Sequence, residues 1–584
     1  MSAHKYEMKK FIQKRWQAFS RTPFGCLLRL CVTRMFHGGG EPGAGELDVG
    51  IGVIVVMLAM PGILVSLLMF EKYGSLIRYL RGNPIFDPYT ATMPDEYFFL
   101  VLSMTVTGAA ALWRWDALFL DRRDYANLVP LPLSLRAIFF ANFSAILALA
   151  ALFTVVVNVA SLIFFPMAVV GSQSSFAVWI RFTLGHAAAV FTASVFSFFA
   201  VFALAGFLVG LLPAALFRRV SHAARFLLAV VLLALIASSF TVPYVLTQVS
   251  VPTAHKIASL PPVSFLGVAR TIWLQGADPF AAKISRGALS SVGVTVLIAF
   301  VAYALSFRRA FLRIPEMADS GPLPRLRHSV SPLAPLHKAI LRTTPQRACY
   351  RFVARTLLRS DGHLQILLGF AALGLVLSAE TLSTAPNLRS LVSGRFPSTE
   401  FLSVPFILAY CVIVGIRFAF ETPADLRANW IFRYWLDTGQ QDARPIARRV
   451  LLLFSLPWLA PAAFFSVLFF WGWTAALLHA AILIACTILL VETILIRFRK
   501  IPFTCSYPAF QSHSGLLFVA YLFGFLIFTD YLPQMEHWSV LNPWQAIWFI
   551  PLLAAALFGL RQYRRQMLDI DKHLIFEEPS PYAF

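Results

Sequence analysis

Residues 137–165 read AIFFANFSAILALAALFTVVVNVASLIFF, twenty-nine positions without one Asp, Glu, Lys or Arg. As an α-helix this run would reach about 44 Å, more than the roughly 30 Å of a bilayer's hydrocarbon core. Uncharged backbone in such surroundings must satisfy its own hydrogen bonds, and a helix does so. Outward from this run, eleven more stretches share the pattern: 49–70, 97–113, 185–216, 226–248, 289–307, 364–379, 401–420, 450–470, 473–496, 515–532 and 545–560. Two of the twelve, 137–165 and 185–216, are long enough to tilt or run past the bilayer, and 364–379 is the shortest. The whole chain agrees. Of 584 residues 58% are apolar, 55 are Phe and 13% are charged, against about 25% charged in soluble proteins. A soluble enzyme, a disordered chain and a disulfide scaffold are excluded. The fold class expected is an all-α polytopic membrane protein of about twelve transmembrane helices.

The net charge of +21 would point to nucleic acid if it sat on a soluble domain. Its distribution says otherwise. With the N-terminus inside, the inside segments carry 39 of the 49 Lys and Arg, counting Arg417 at the inner end of its span, and 18 of the 28 acids. The basic excess therefore follows the positive-inside rule, with both termini cytoplasmic, and no nucleic-acid partner is expected. Ahead of the first span, 5–21 (KYEMKKFIQKRWQAFSR) places Met8, Phe11, Ile12, Trp16 and Phe19 on one helical face, with Lys5, Lys9, Lys10, Lys14 and Arg15 elsewhere. This pattern reads as an interfacial helix on anionic lipid rather than as a secretory signal. The glycine-rich HGGGEPGAG (37–45) reads as the connector that follows it.

Six plus six spans flank the long basic segment 308–363, and the halves echo each other. YALSFRRAFLRIPE (303–316) corresponds to LFGLRQYRRQMLDID (557–571) as an Arg-rich helix ending in acid. The basic amphipathic stretch before the first span has a counterpart in KAILRTTPQRACYRFVARTLLRS (338–360). The expected organisation is 1–47 interfacial helix and connector, 48–314 first six-span unit, 315–363 cytoplasmic linker with a second interfacial helix, and 364–584 second six-span unit with a cytoplasmic tail. None of the six Cys falls in an outside loop and no C-x-x-C occurs, so neither disulfides nor a metal site is expected.

Little chemistry is legible. The chain has no G-x-x-x-x-G-K-[ST], H-E-x-x-H or G-x-S-x-G, so it has no ATP loop of its own and no hydrolase signature. Ionisable residues within spans are functional candidates by default. Glu492 in ILLVETILIRFRK (488–500) is one, and it also reads as a carboxylate reaching toward the basic end near Arg497. His186 and His479 have no acid at i±3 or i±4 and read as packing histidines near the outer face. Asn142 and Asn158 read as interhelical hydrogen-bonding groups. Pro213, Pro457, Pro461 and Pro551 mark kinks or interruptions.

The layout resembles the six-span membrane subunit of ABC exporters, the type-two ABC transporter permeases, here with two units fused. Three features carry the resemblance. One is the basic helix ahead of the first span. Another is the loop DRRDYANLVPLPLSLRAIF (121–139), with Asp121 and Asp124, then Leu128, then Leu131-Pro132, then Arg136. The last is the outside segment SLPPVSFLGVARTIWLQGAD (259–278), similar to that family's amphipathic half-helix, with YLPQMEHWSVLNPWQAIW (531–548) in the equivalent place. The resemblance implies coupling to an ATPase through Asp121, Asp124, Leu128, Leu131 and Pro132, and in the second half through Glu421 and Asp425 of ETPADLRANWIFRYWLDTG (421–439), which lacks the Leu-Pro element. It implies a multi-pass protein of the bacterial inner membrane that is not itself an enzyme. No cofactor would be bound by this chain; ATP would act through separately encoded ABC-type ATPase subunits, and membrane lipid is the other partner. Segment 116–136 is expected to be a helix whose Leu118, Phe119, Tyr125, Leu128 and Leu131 form a docking face. The alternatives are a secondary carrier of the major facilitator type, disfavoured by the missing glycine in 113–136 and the near absence of membrane carboxylates, and a non-catalytic membrane scaffold.

Overall fold

A computed structural model describes residues 22–37, 60–73, 92–120, 122–170, 176–248, 260–311, 340–341, 344–384, 394, 396–423, 444–496, 498, 500–504, 514–541 and 543–570. Every regular element among them is a helix, and no strand occurs among the described residues. Nine helices among the described residues are long and apolar enough to cross a bilayer, so the chain is an all-α, multi-pass membrane protein. The interfacial helix expected at 5–21 lies outside the described residues.

The chain divides into two compact units with a boundary at Arg325–Leu326. The first contains α1 (Pro23–His37), α2 (60–73), α3 (Met93–Trp113), α4 (Arg122–Leu128), α5 (Leu135–Val170), α6 (Phe176–Leu211), α7 (Ala214–Gln248), α8 (Pro261–Trp273) and α9 (Pro279–Ser306), the last running into a π-turn at Phe307–Phe311. The second contains α10 (Thr344–Arg359), α11 (Asp361–Ser383), α12 (Thr399–Ala419), α13 (Arg444–Trp471), α14 (Trp473–Ile494), α15 (Ser514–Leu526) with a π-turn at Ile527–Tyr531, α16 (Leu532–Leu541) and α17 (Pro543–Ile570). The nine spanning helices fall on the expected second to tenth runs. Helices α2, α15 and α17 occupy the other three, with 49–59 outside the described residues.

Local chemistry sets the boundaries. Pro94 opens α3, with Asp95 and Glu96 in its first turn at the positive end of the helix dipole. Pro213, which has no N–H to donate, separates α6 from α7. Helix α7 then begins before the charged run Phe217–Arg225, which lies between the apolar runs 185–216 and 226–248. Asp278 caps α9 by accepting from Phe280 N at 3.0 Å and Ala281 N at 3.3 Å. Helices α5 and α6, at 36 residues each, extend about 54 Å and so run beyond the hydrocarbon core or tilt within it. The shortest expected span, 364–379, belongs to the 23-residue α11. In segment 259–278, α8 has 13 residues, about 20 Å, too short to span. It lies on α6, where the Trp273 ring stacks on Phe182 at 4.7 Å and its indole N–H donates to Phe182 O at 3.1 Å. Gly185 permits that approach: a Cβ on it would lie 2.3 Å from Trp273 Nε1.

Candidate functional site

At the basic end of the first unit, five elements converge on Arg34 of α1. Its guanidinium pairs with Asp124 of α4, donates to Ala117 O at 2.8 Å, and donates to Asn142 Oδ1 of α5 at 3.0 Å. Asn142, fully buried, donates to Leu118 O at 3.1 Å and to the Tyr303 hydroxyl of α9 at 3.0 Å. Beside this node, Arg225 of α7 pairs with Asp116 and lies over the Trp115 ring. Arg34 thus ties α1 to α4, to the segment before it and to α5, and through Asn142 to α9.

The arrangement corrects the expected docking face. Segment 116–136 is not one helix: among its described residues the seven-residue α4 ends at Leu128 and the next helix, α5, begins only at Leu135. Leu118 and Phe119 are buried against Trp115 and Phe202, and Leu128 is buried with Leu27, Ile138 and Ala141. The spacing that would make an outward face makes an inward one, because these side chains find apolar partners within the unit. What remains exposed is the turn Val129-Pro130-Leu131-Pro132, with Val129 37% and Leu131 49% accessible. Asp124 is engaged by Arg34, and Asp121 lies outside the described residues.

The second unit has its own cluster at the basic end. Glu421 pairs with Arg417 one turn earlier and with Lys500, and the Arg417 guanidinium lies 4.7 Å from the Phe498 ring centroid. His363 Nε2 donates to Thr422 O at 2.9 Å, fixing the end of α12 on α11. Glu492 is buried and binds Arg448 of α13 at 2.9 Å; Arg497 lies outside the described residues. Asp425 lies outside the described residues.

Two further constellations were not legible in the sequence. In the first unit, His186 Nδ1 of α6 donates to Glu96 Oε2 of α3 at 2.7 Å, and both side chains are wholly buried. His186 Nε2 lies 3.1 Å from Ser161 Oγ, and the ring packs on Phe99 and Phe165. Asp95, the neighbour of Glu96, holds Lys72 at 2.7 Å and the Tyr73 hydroxyl. In the second unit, His479 Nδ1 of α14 donates to Glu536 Oε1 of α16 at 2.8 Å, again fully buried, with Phe406 against the ring. The acids are 90 and 57 residues away in sequence, which no helical spacing rule reaches. The one available signal was an acid at the mouth of an apolar run, Asp95-Glu96 just before 97–113, in the first turn of α3. Glu96 Oε1 and Glu536 Oε2 are buried without a hydrogen-bond partner.

From His186 a polar seam enters the first unit. Ser161 donates to Asn158 O, Asn158 Nδ2 donates to Ser194 Oγ at 3.1 Å, and Ser103 bonds Asn158 Oδ1. It continues on buried hydroxyls: Thr107 donates to Ser103 O at 2.7 Å and Ser194 O at 3.2 Å, and Ser197 donates to Met104 O at 2.6 Å. Ile146, Leu149 and Phe153 of α5 meet Phe198 and Phe202 of α6, all buried. Asn142 and Asn158 stand sixteen positions apart, about 24 Å along α5, and this apolar packing lies between them. Charged groups therefore lie toward the two ends of the unit, with apolar packing and buried hydroxyls between them. Among the described residues no group of three or more His, Cys, Asp or Glu is placed to hold a metal.

Geometry and composition define a multi-pass membrane protein with charged nodes at both ends of its spans. No known protein family, curated protein or solved structure matches the chain.

Proposed function

We propose that the chain is the membrane-spanning permease of an ATP-driven, ABC-type exporter in the bacterial inner membrane, made of two fused six-span units with both termini cytoplasmic. A separately encoded ATPase would power alternating access. The observation that carries this reading is the Arg34 node. A permease driven from outside the bilayer needs a rigid mechanical link from a cytoplasmic contact to its spans, and Arg34 joins α1, the α4 segment, α5 and, through Asn142, α9. The exposed Val129–Pro132 turn is the contact such a link would present, stiffened by its two prolines. The second unit, without a Leu-Pro element and with Glu421 held by Arg417 and Lys500, is assigned the weaker contact. A buried His on the fourth expected span of each half, His186 and His479, supports duplication, although its Glu partner comes from α3 in the first unit and from α16 in the second.

The same pairs favour a second reading, a secondary carrier. Intramembrane His and Glu are the groups through which proton relays run, and buried Glu96, Glu492 and Glu536 supply carboxylates that the sequence did not reveal as buried. Co-purification decides between the two. The chain is expected to form a stable complex with a Walker-motif ATPase encoded beside its gene and to raise its hydrolysis rate. Failure to bind or stimulate that ATPase, together with an acid pulse in proteoliposomes driving proton movement through the chain alone, would replace the exporter with the carrier.

A further inference from the structure

Helix α10, TPQRACYRFVARTLLR, contains no acidic residue. Its Cys349, Tyr350, Val353 and Leu357 are buried, and Tyr350, Val353 and Leu357 join the core formed with Ile413 and Phe420. The opposite face carries Arg347, Arg351, Arg355 and Arg359, all exposed and four residues apart. That spacing stacks them one turn above another in a ladder about 18 Å long. Arg347 Nε donates to Leu341 O at 2.8 Å. Arg351 and Arg355 have no ion-pair partner among the described residues. Like charges at i, i+4 work against the helix that carries them, so the central pair Arg351 and Arg355, with no acid on their own helix, calls for an anionic surface opposite.

We propose that this ladder is a binding site for anionic phospholipid headgroups. Three observations choose lipid over a protein partner. A single residue, Ser360, separates α10 from Asp361, the first residue of a membrane-spanning helix, so the ladder starts at the level where headgroups lie. All four cations are guanidinium groups, whose forked donors match phosphate oxygens in pairs. The exposed face offers one large apolar side chain, Leu358, where a protein interface would centre on a packed apolar or aromatic anchor. The site stands apart from the exporter reading, because binding needs neither an ATPase nor a cargo.

The test titrates full-length protein in neutral detergent with phosphatidylglycerol or phosphatidylcholine and follows thermal unfolding, since a ligand that binds the folded state raises the midpoint. Wild type is expected to gain stability with phosphatidylglycerol, to gain less with phosphatidylcholine, and to lose the difference in high salt. The double variant Arg351→Gln/Arg355→Gln should bind phosphatidylglycerol about thirtyfold more weakly, from about 1 kcal/mol per basic residue near an anionic surface. Arg351→Lys/Arg355→Lys should keep most of the effect, and Arg286→Gln, an exposed arginine on α9, should keep all of it. A wild-type response in the glutamine variant, or equal responses to the two lipids, overturns the proposal. Retention of the phosphatidylglycerol response in that variant with loss of ATPase association would reassign the ladder to protein docking.

Discussion

Removing Glu96 tests whether the buried pairs hold the units together. The Glu96→Ala change leaves His186 Nδ1 without its acceptor at a position with no solvent access, and water cannot replace the lost contact. Breaking a buried charge-capable pair by deleting one partner costs about 3–5 kcal/mol. The His186 side is expected near the lower figure, since Ser161 Oγ stays within reach of Nε2. At roughly 2–4 °C per kcal/mol for domains of 150–250 residues, a loss of about 3 kcal/mol lowers the unfolding midpoint by about 6–12 °C. Glu96→Gln keeps shape and one acceptor oxygen and should cost less, about 1–3 kcal/mol. The assay is thermal unfolding of purified protein in one detergent for Glu96→Ala, His186→Ala and the double variant. If the two side chains act on each other, the double variant is less destabilised than the sum of the singles by about 0.5–3 kcal/mol. Additive losses, or no loss in Glu96→Ala, would refute the reasoning. The same cycle at Glu536 and His479 should give the same pattern.

Gly185→Ala should destabilise the first unit by about 1–3 kcal/mol, because the new methyl group meets the buried Trp273 ring and, at 3.1 Å, the Ala269 carbonyl; Trp fluorescence and unfolding report it together. Burial pushes the Cys31 thiol up to about 11, against a smaller downward pull from Arg34. Maleimide at neutral pH should therefore label exposed Cys26 and leave Cys31 silent. Because the folded-state value lies above the ordinary 9.0, the associated stability is full below about pH 9 and falls as pH rises toward 11. A single cysteine at Ser329 should label only from the cytoplasmic side of sealed cells and one at Gln534 only from outside; the reverse pattern would invert the topology.

Apolar runs were legible because composition alone decides what enters a bilayer, and the nine spanning helices lie on runs visible in the sequence. Their ends were less so. The charged run Phe217–Arg225 resembles a loop, yet it is helical, and Arg225 is buried where Asp116 and the Trp115 ring receive it. Segment 116–136 failed for a related reason: a helical apolar period tells which residues share a face, not whether that face turns toward a partner or toward the unit's own core. Leu118, Phe119 and Leu128 turned inward, leaving Val129 and Leu131. The His–Glu pairs could not be read at all, because each joins elements that only the fold brings together.

The most direct test of ATP-driven coupling is the hydrolysis rate of the neighbouring ATPase bound to the chain in nanodiscs, comparing wild type with Val129→Asp/Leu131→Asp. Both side chains are exposed in the turn, so the variant should fold and keep its unfolding midpoint. The account predicts that it loses ATPase association and the stimulated hydrolysis. A variant that stays bound and hydrolyses ATP at the wild-type rate would contradict it.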